Sequence, residues 1–120
     1  ILVIEDNDDN MSLSTQLLES AGKTVVKETT GMEGYEKTLE LRPDIVLLDI
    51  QLPDIEGTEV LQMIRSNKEV EDIAVVAVTS YAMAGDREKL MAAGCNGYIE
   101  KPIDPFRILE ELEIILKEQQ

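Results

Sequence analysis

The stretch VLLDIQLPDIEG, residues 46–57, poses the central question of this sequence, because an apolar run stops at the carboxylate of Asp49. The run starts earlier, as DIVLLD over residues 44–49, and is apolar on both faces of an extended strand. Strands of this kind are usually covered by helices on both sides of a parallel sheet. Pro53 and Gly57 follow, and Gly57 precedes a segment with helical spacing of apolar residues. We therefore predict a buried strand that ends at Asp49.

Strand-like and helix-like segments alternate along the whole chain. Apart from residues 44–49, we expect strands at residues 1–5, 24–28, 73–79 and 97–100. Helices are expected at 10–21, after Thr30, after Gly57, at 84–93 and from Pro105 onward. This fivefold alternation without a linker or repeat predicts one domain, residues 1–120, with a doubly wound five-stranded parallel sheet, (βα)5.

The apolar spacing also predicts which face of each early helix points inward. In the first helix the expected inward residues are Leu13, Leu17, Leu18 and Ala21, with Gly22 ending the helix. In the second helix they are Met32, Tyr35 and Leu39, with Thr30 as the cap.

Composition excludes several classes of function. The 120 residues are 43% hydrophobic and 30% charged, which is typical of a folded domain rather than a disordered chain. A net charge of −14 argues against direct binding to nucleic acid or to an anionic membrane. With no histidine and one cysteine, Cys95, neither a Cys/His zinc site nor an internal disulfide is expected. We expect a cytoplasmic location and no membrane span.

Residues with chemical potential gather at the carboxyl ends of the expected strands, where doubly wound sheets bind their ligands. They are Glu5 and Asp6, Asp49, the hydroxyl pair Thr79 and Ser80, and Lys101. Clustered carboxylates repel one another unless a cation joins them, and oxygen ligands favour Mg²⁺ or Mn²⁺. A carboxylate beside such a cation and a lysine is suited to attack phosphorus and form an aspartyl phosphate.

Each of these residues also has an ordinary structural explanation. An aspartate at a strand end is often a turn or cap residue. Thr79 suits a strand because it is β-branched, and Lys101 by itself would be a surface lysine. The expected convergence of Asp49 with Asp6, Thr79 and Lys101 favours a functional role for Asp49.

Four segments resemble the receiver domain of two-component response regulators. They are ILVIEDN, DIVLLDIQLPDIEG, VVAVTSYA and GYIEKPI, in the family's order and at the expected strand ends. The segments EDNDDNM and SYAMAGDREK are similar to receivers of single-domain regulators and hybrid sensor kinases. The resemblance implies a flavodoxin-like strand order of 2-1-3-4-5.

The resemblance also implies residue roles. Asp49 would be the phosphoacceptor. The metal ligands would be Asp6 directly, Glu5 largely through water, Asp49, and the backbone carbonyl of Gln51. Thr79 and Tyr98 would be the switch pair, although plain core packing remains an alternative for Tyr98. The remaining matched positions are Lys101, which would bond the phosphoryl group, Pro102, which would follow a cis peptide, Ser80, and Tyr81, which with Gln51 would flank the path of attacking water.

The expected function is that of a phosphoacceptor in a phosphorelay. A histidine kinase or histidine phosphotransfer protein would donate a phosphoryl group to Asp49 in the presence of Mg²⁺. Phosphorylation would then change the surface of the fourth helix, fifth strand and fifth helix, which a downstream protein reads. The domain would catalyse its own phosphorylation and dephosphorylation without being a turnover enzyme. Homodimers are common in the family, and the sequence leaves this open.

Three other classes of protein share parts of this pattern. A haloacid-dehalogenase-type phosphohydrolase has D-x-D after its strand, whereas Ile50 and Gln51 follow Asp49 here. A flavodoxin-like electron carrier needs a phosphate loop after the first strand, and the acidic EDNDDN has the wrong charge. A phosphorylation-independent pseudo-receiver shares the fold but tends to lack one of the acidic pair, the acceptor or the lysine. It remains the alternative.

Overall fold

The structure is a computed structural model that describes residues 1–79, 86–100 and 105–118. The strands are β1 (Leu2–Ile4), β2 (Val26–Glu28), β3 (Ile45–Asp49), β4 (Ala74–Thr79) and β5 (Gly97–Glu100). The helices are α1 (Asp8–Ser20), α2 (Gly31–Leu41), α3 (Gly57–Ser66), α4 (Asp86–Ala92) and α5 (Pro105–Glu118). Every expected element is present, with bounds that differ from the prediction by at most two residues at most ends.

The five strands form one parallel sheet in the order β2-β1-β3-β4-β5. This confirms the doubly wound sheet and the expected strand order. In a parallel sheet, all strands present their carboxyl ends at one edge. Residues after Ile4, at Asp49 and at Thr79 therefore lie along the same edge of the sheet.

Helices cover both faces of the sheet, and each face has its own hydrophobic core. Helices α1 and α5 pack on one face, where Met11, Leu18, Ile108 and Leu112 are buried against residues such as Leu47. Helices α2, α3 and α4 pack on the other face. Strands β3 and β4 are buried along their whole length. This double coverage explains why β3 has apolar residues on both faces.

The inward face of α1 differs from the prediction. Leu18 is fully buried and Leu17 is half-buried, but Leu13 is 38% exposed and Ala21 is exposed. Met11 and Leu18 both contact the sheet two turns apart, so the positions between them must face inward whatever their polarity. Those positions are Ser14 and Thr15, which are buried. Among the residues that the structure describes, none forms a hydrogen bond with the Thr15 hydroxyl.

The ends of the first two helices follow the predicted signals, with one error in α2. Gly22 has φ +82°, as expected of a residue that ends a helix. The Thr30 side chain caps α2 by accepting a hydrogen bond from the Glu33 N–H. Tyr35 and Leu39 pack against the core, but Met32 is 43% exposed. Met32 lies in the first turn of α2, at the end of the apolar stripe, where its N–H is bonded to Asp54 in an exposed contact.

At the amino ends of the strands, the side chain of Arg65 joins three parts of the chain. Its guanidinium donates to the carbonyls of Gly94, Glu71 and Ile73 at 2.7–2.8 Å and to Asn96 Oδ1 at 2.7 Å. Asn96 Oδ1 also accepts from the Val75 N–H at 2.9 Å. The end of α3, the start of β4 and the loop before β5 are thereby held together.

None of the described helices combines the length and the hydropathy of a membrane-spanning segment.

Candidate phosphoacceptor and metal site

Three carboxylates lie together at the carboxyl edge of the sheet. Glu5 follows β1, Asp6 follows it, and Asp49 is the last residue of β3. One carboxylate oxygen from each lies within 4.8 Å of the others. Strands β1 and β3 pair Ile4 with Leu48, so the residues that follow are neighbours on adjacent strands. The fold therefore brings together the three carboxylates of the predicted cluster.

Burial distinguishes the three carboxylates. Glu5 is 4% exposed and Asp49 is 3% exposed, whereas Asp6 lies open to solvent. Glu5 Oε1 accepts a hydrogen bond from the Asn7 N–H at 3.2 Å, and the Glu5 N–H donates to the Glu28 carbonyl at 3.0 Å. A largely buried pair with one solvent-facing member leaves an open side from which a small ligand can approach.

Asp49 sits on a tightly held segment of backbone. Its Oδ1 accepts from the Gln51 N–H at 3.0 Å. The Ile50 N–H donates to the Val78 carbonyl at 3.1 Å, and the Ile50 carbonyl accepts from the Gly57 N–H at 2.8 Å. These bonds fix the backbone on the carboxyl side of Asp49 to β4 and to the first turn of α3.

Gly57 explains the glycine in the opening stretch. A Cβ atom at this position would collide with the backbone carbonyl of Asp49 and lie 2.6 Å from the Ile50 Cα. Backbone atoms cannot move aside as a flexible side chain can, so helix α3 begins directly against Asp49 only with glycine at its first position.

The predicted switch pair lies on β4 and β5. Thr79 ends β4 and is 3% exposed. Tyr98 pairs in register with Ala77, is half-buried, and packs against the core formed with α2, α3 and α4. Because side chains two residues apart in a strand share a face, Thr79 and Tyr98 lie on the same face of the sheet. This placement fits both the switch role and core packing for Tyr98.

Four predicted positions lie outside the described residues, namely Ser80, Tyr81, Lys101 and Pro102. Their roles stay predictions. Gln51 is described and exposed, with its N–H bonded to Asp49. Its backbone carbonyl as a metal contact also stays a prediction.

The donor set fits Mg²⁺. The cluster offers three carboxylates, two of them nearly excluded from solvent, and hard oxygen ligands are what Mg²⁺ and Mn²⁺ prefer. Residues Glu5, Asp6 and Asp49 could hold such an ion.

One residue of the loop between β3 and α3 has a contact that the sequence did not suggest. Asp54 Oδ1 accepts from the Gly31 N–H at 2.8 Å, and Oδ2 accepts from the Met32 N–H at 2.9 Å. These backbone donors lower the pKa of the Asp54 carboxyl below its ordinary value. An acid in a turn-rich stretch carries no signal for a partner 23 residues earlier in the chain.

Comparison with known proteins identifies the family. The response regulator receiver domain profile matches residues 1–113. The polar-differentiation response regulator DivK of Brucella anthropi is 39% identical over 116 residues, which cover 97% of this chain and 94% of that protein.

Two solved structures agree with this match. A CheY-like receiver domain protein of Methanospirillum hungatei has a TM-score of 0.86 at 32% identity, covering 98% of this chain and 93% of that one. The receiver domain of a Pseudomonas aeruginosa sensor histidine kinase has a TM-score of 0.89 at 28% identity, covering 97% and 95% of the two chains. That structure has a magnesium ion coordinated in its active-site cleft. The family match over nearly the whole chain, the strand order and the carboxylate cluster lead to one conclusion: the chain belongs to the response regulator receiver domain family.

Proposed function

We propose that this receiver domain accepts a phosphoryl group on Asp49 from a phosphohistidine of a partner protein, with Mg²⁺ bound at the carboxylate cluster. The observation that carries the proposal is the grouping of Glu5, Asp6 and Asp49 within 4.8 Å, with Asp49 buried at the end of β3. A phosphorylation-independent module of the same fold would have no need of this cluster.

In the proposed transfer, a carboxylate oxygen of Asp49 forms a bond to phosphorus as the phosphorus–nitrogen bond of the donor breaks. The electron pair of the broken bond stays on the imidazole nitrogen, and the partner's histidine is restored once it takes a proton from solvent. The Gln51 N–H bond to Oδ1 orients the carboxylate. Mg²⁺, when bound, supplies positive charge that offsets the charge on the phosphoryl oxygens.

Glu5, Asp6 and Asp49 would hold the metal, and Lys101 would bond the phosphoryl group. The hydroxyl of Thr79, on the strand beside that of Asp49, would donate to a phosphoryl oxygen. Its movement would leave room for Tyr98 to turn inward on the same face of the sheet. A phosphoryl group adds a charge of about −1.5 to −2. One such group can switch the domain if the free energies of its two states differ by only a few kcal/mol.

The partners follow from this role. A histidine kinase or histidine phosphotransfer protein would be the donor, and a downstream protein would read the face of α4, β5 and α5. The domain would act in the cytoplasm as a self-phosphorylating switch rather than as a turnover enzyme. A homodimer is compatible with this role.

The test is intact mass after incubation with acetyl phosphate, first with Mg²⁺ and then with excess EDTA. The wild type should gain one phosphoryl group, and only with metal. Asp49→Asn should gain none, whereas Asp44→Asn, an exposed acid just before the same strand, should behave as the wild type. A phosphoryl group retained on Asp49→Asn would overturn the assignment, and a wild type unlabelled by either acetyl phosphate or a histidine-kinase donor would favour the pseudo-receiver.

The switch is tested separately. Thr79→Ala should still accept the phosphoryl group, but the change in its amide NMR spectrum on phosphorylation should shrink at β5 and α4. Thr79→Ser keeps the hydroxyl and should respond as the wild type does. A full spectral response in Thr79→Ala would remove the hydroxyl from the switch.

A further inference from the structure

We propose that Asp54 is a positioning residue for the acceptor site: its carboxylate fastens the loop after Asp49 to helix α2 and so holds Gln51 where a metal needs it. The inference rests on the proposed function, because Gln51 matters only if the cluster binds Mg²⁺. Asp54 itself does not belong to the carboxylate cluster.

The loop between β3 and α3 is fastened at both ends by its backbone. The backbone of Ile50 is hydrogen-bonded to Val78 on one side and to Gly57 on the other, so residues 51–56 form a short loop whose two ends are held together. At the start of this loop, the Gln51 N–H donates a hydrogen bond to Asp49. Asp54 lies further along the loop and is hydrogen-bonded to α2.

The Asp54 contact is specific in geometry. Each of its two carboxylate oxygens accepts from a separate N–H in the first turn of α2, at 2.8 and 2.9 Å. These N–H groups have no partner within the helix, and the helix N-terminus favours negative charge. Hydrogen bonds to a charged acceptor are among the stronger ones. A carboxylate that bridges two adjacent N–H groups therefore restrains both the direction and the distance of the loop.

Packing reinforces the same junction. A Cβ atom on Gly31 would lie 2.7 Å from Ile55 Cγ1 and 2.9 Å from Val60 Cγ2. The absence of a side chain on Gly31 thus lets the loop approach the helix closely enough for Asp54 to reach it. The loop beside the acceptor, the start of α2 and the start of α3 meet at this point.

The chain offers two matched controls. Thr30→Ala removes the other side-chain cap of α2, the bond to the Glu33 N–H, and leaves Asp54 in place. Glu56→Gln removes one negative charge from the same loop, and the Glu56 side chain makes no capping bond to α3. The first control reports the effect of weakening α2, and the second reports the effect of loop charge.

The experiment is a Mg²⁺ titration followed by the amide NMR signal of Gln51, with amide hydrogen exchange at Gly31 and Met32 measured on the metal-free proteins. Asp54→Ala should raise the Mg²⁺ dissociation constant about tenfold, the lower end of the loss that is usual when a group that supports metal ligands is removed. Exchange at Gly31 and Met32 should also become faster. Asp54→Asn, which keeps one carbonyl acceptor, should fall between Asp54→Ala and the wild type.

The outcomes separate this inference from the proposed function. If the wild type binds no Mg²⁺, both fail. If the wild type binds Mg²⁺ but Asp54→Ala has an unchanged dissociation constant, or shifts no more than Thr30→Ala or Glu56→Gln, the positioning role alone is refuted. Urea unfolding of each variant shows that it is folded under the conditions of the titration.

Discussion

Replacing Asp49 with asparagine should stabilise the metal-free protein and abolish its stabilisation by Mg²⁺. Glu5 and Asp49 are both nearly excluded from solvent, with carboxylate oxygens within 4.8 Å of each other. At an effective dielectric constant of about 20, two unit charges at this distance repel by roughly 3.5 kcal/mol. The amide side chain loses part of the charge-assisted bond from the Gln51 N–H, at a cost of about 1 kcal/mol. Asp6 leaves the cluster open to solvent on one side, which screens part of this repulsion. We therefore expect a net stabilisation of about 1–2 kcal/mol.

Magnesium should reduce this difference in stability between the wild type and Asp49→Asn. At a concentration of about ten times its dissociation constant, a ligand stabilises the folded state by about 1.4 kcal/mol. The wild type should gain this amount and Asp49→Asn should not, so the two proteins should become nearly equal in stability.

The assay is urea unfolding followed by far-ultraviolet circular dichroism, in EDTA and then in excess Mg²⁺. Asp44→Asn is the control, because it removes an exposed charge just before the same strand and should change stability by less than about 0.5 kcal/mol. If Asp49→Asn is less stable than the wild type in EDTA, repulsion between the carboxylates does not destabilise the metal-free protein. An equal response of both proteins to Mg²⁺ would show that the metal binds elsewhere.

Three further predictions concern the framework around the site. Arg65→Met should lower the free energy of unfolding by about 2–4 kcal/mol, because four acceptors lose a charged donor. Arg107→Met removes an exposed ion pair and should lower it by less than about 0.5 kcal/mol, so equal effects of the two substitutions in urea unfolding would refute this prediction. Gly57→Ala should lower the free energy of unfolding by about 1–3 kcal/mol and slow labelling by acetyl phosphate, because the methyl group of the alanine would collide with the backbone of Asp49 and Ile50. Labelling at the wild-type rate would show that the backbone shifts without disturbing the site. Burial raises the pKa of the Cys95 thiol above its ordinary value, so the thiol loses its proton first in the unfolded chain. Stability should therefore fall as pH rises above that ordinary value, and Cys95→Ala should lack this part of the pH dependence.

The sheet was predictable because apolar runs identify buried parallel strands without knowledge of their partners. The site was predictable for a related reason. Once the strands are parallel, residues such as Asp6 and Asp49 must meet at one edge, although 43 positions separate them in the numbering of the chain. Topology alone brings them together.

Contacts set by the detailed docking of helices were not predictable. The spacing of leucines in α1 favoured Leu13 as an inward residue, but the helix is rotated so that Thr15 is buried instead. The link from Asp54 to α2 and the four bonds of Arg65 depend on distances between elements that local sequence does not encode. Asp54 looks like any acid in a turn, and Arg65 looks like any cation in the last turn of a helix.

The guanidinium of Arg65 has a consequence for how α4 can move. This helix starts at Asp86, after the carboxyl end of β4, and ends before Gly94, whose carbonyl is bonded to Arg65. The Gly94 end of α4 is thus held near the amino ends of the strands, while the Asp86 end lies toward the edge where the carboxylates lie. Because the bond to Arg65 restrains the Gly94 end, a displacement of α4 would be smaller at Gly94 than at Asp86.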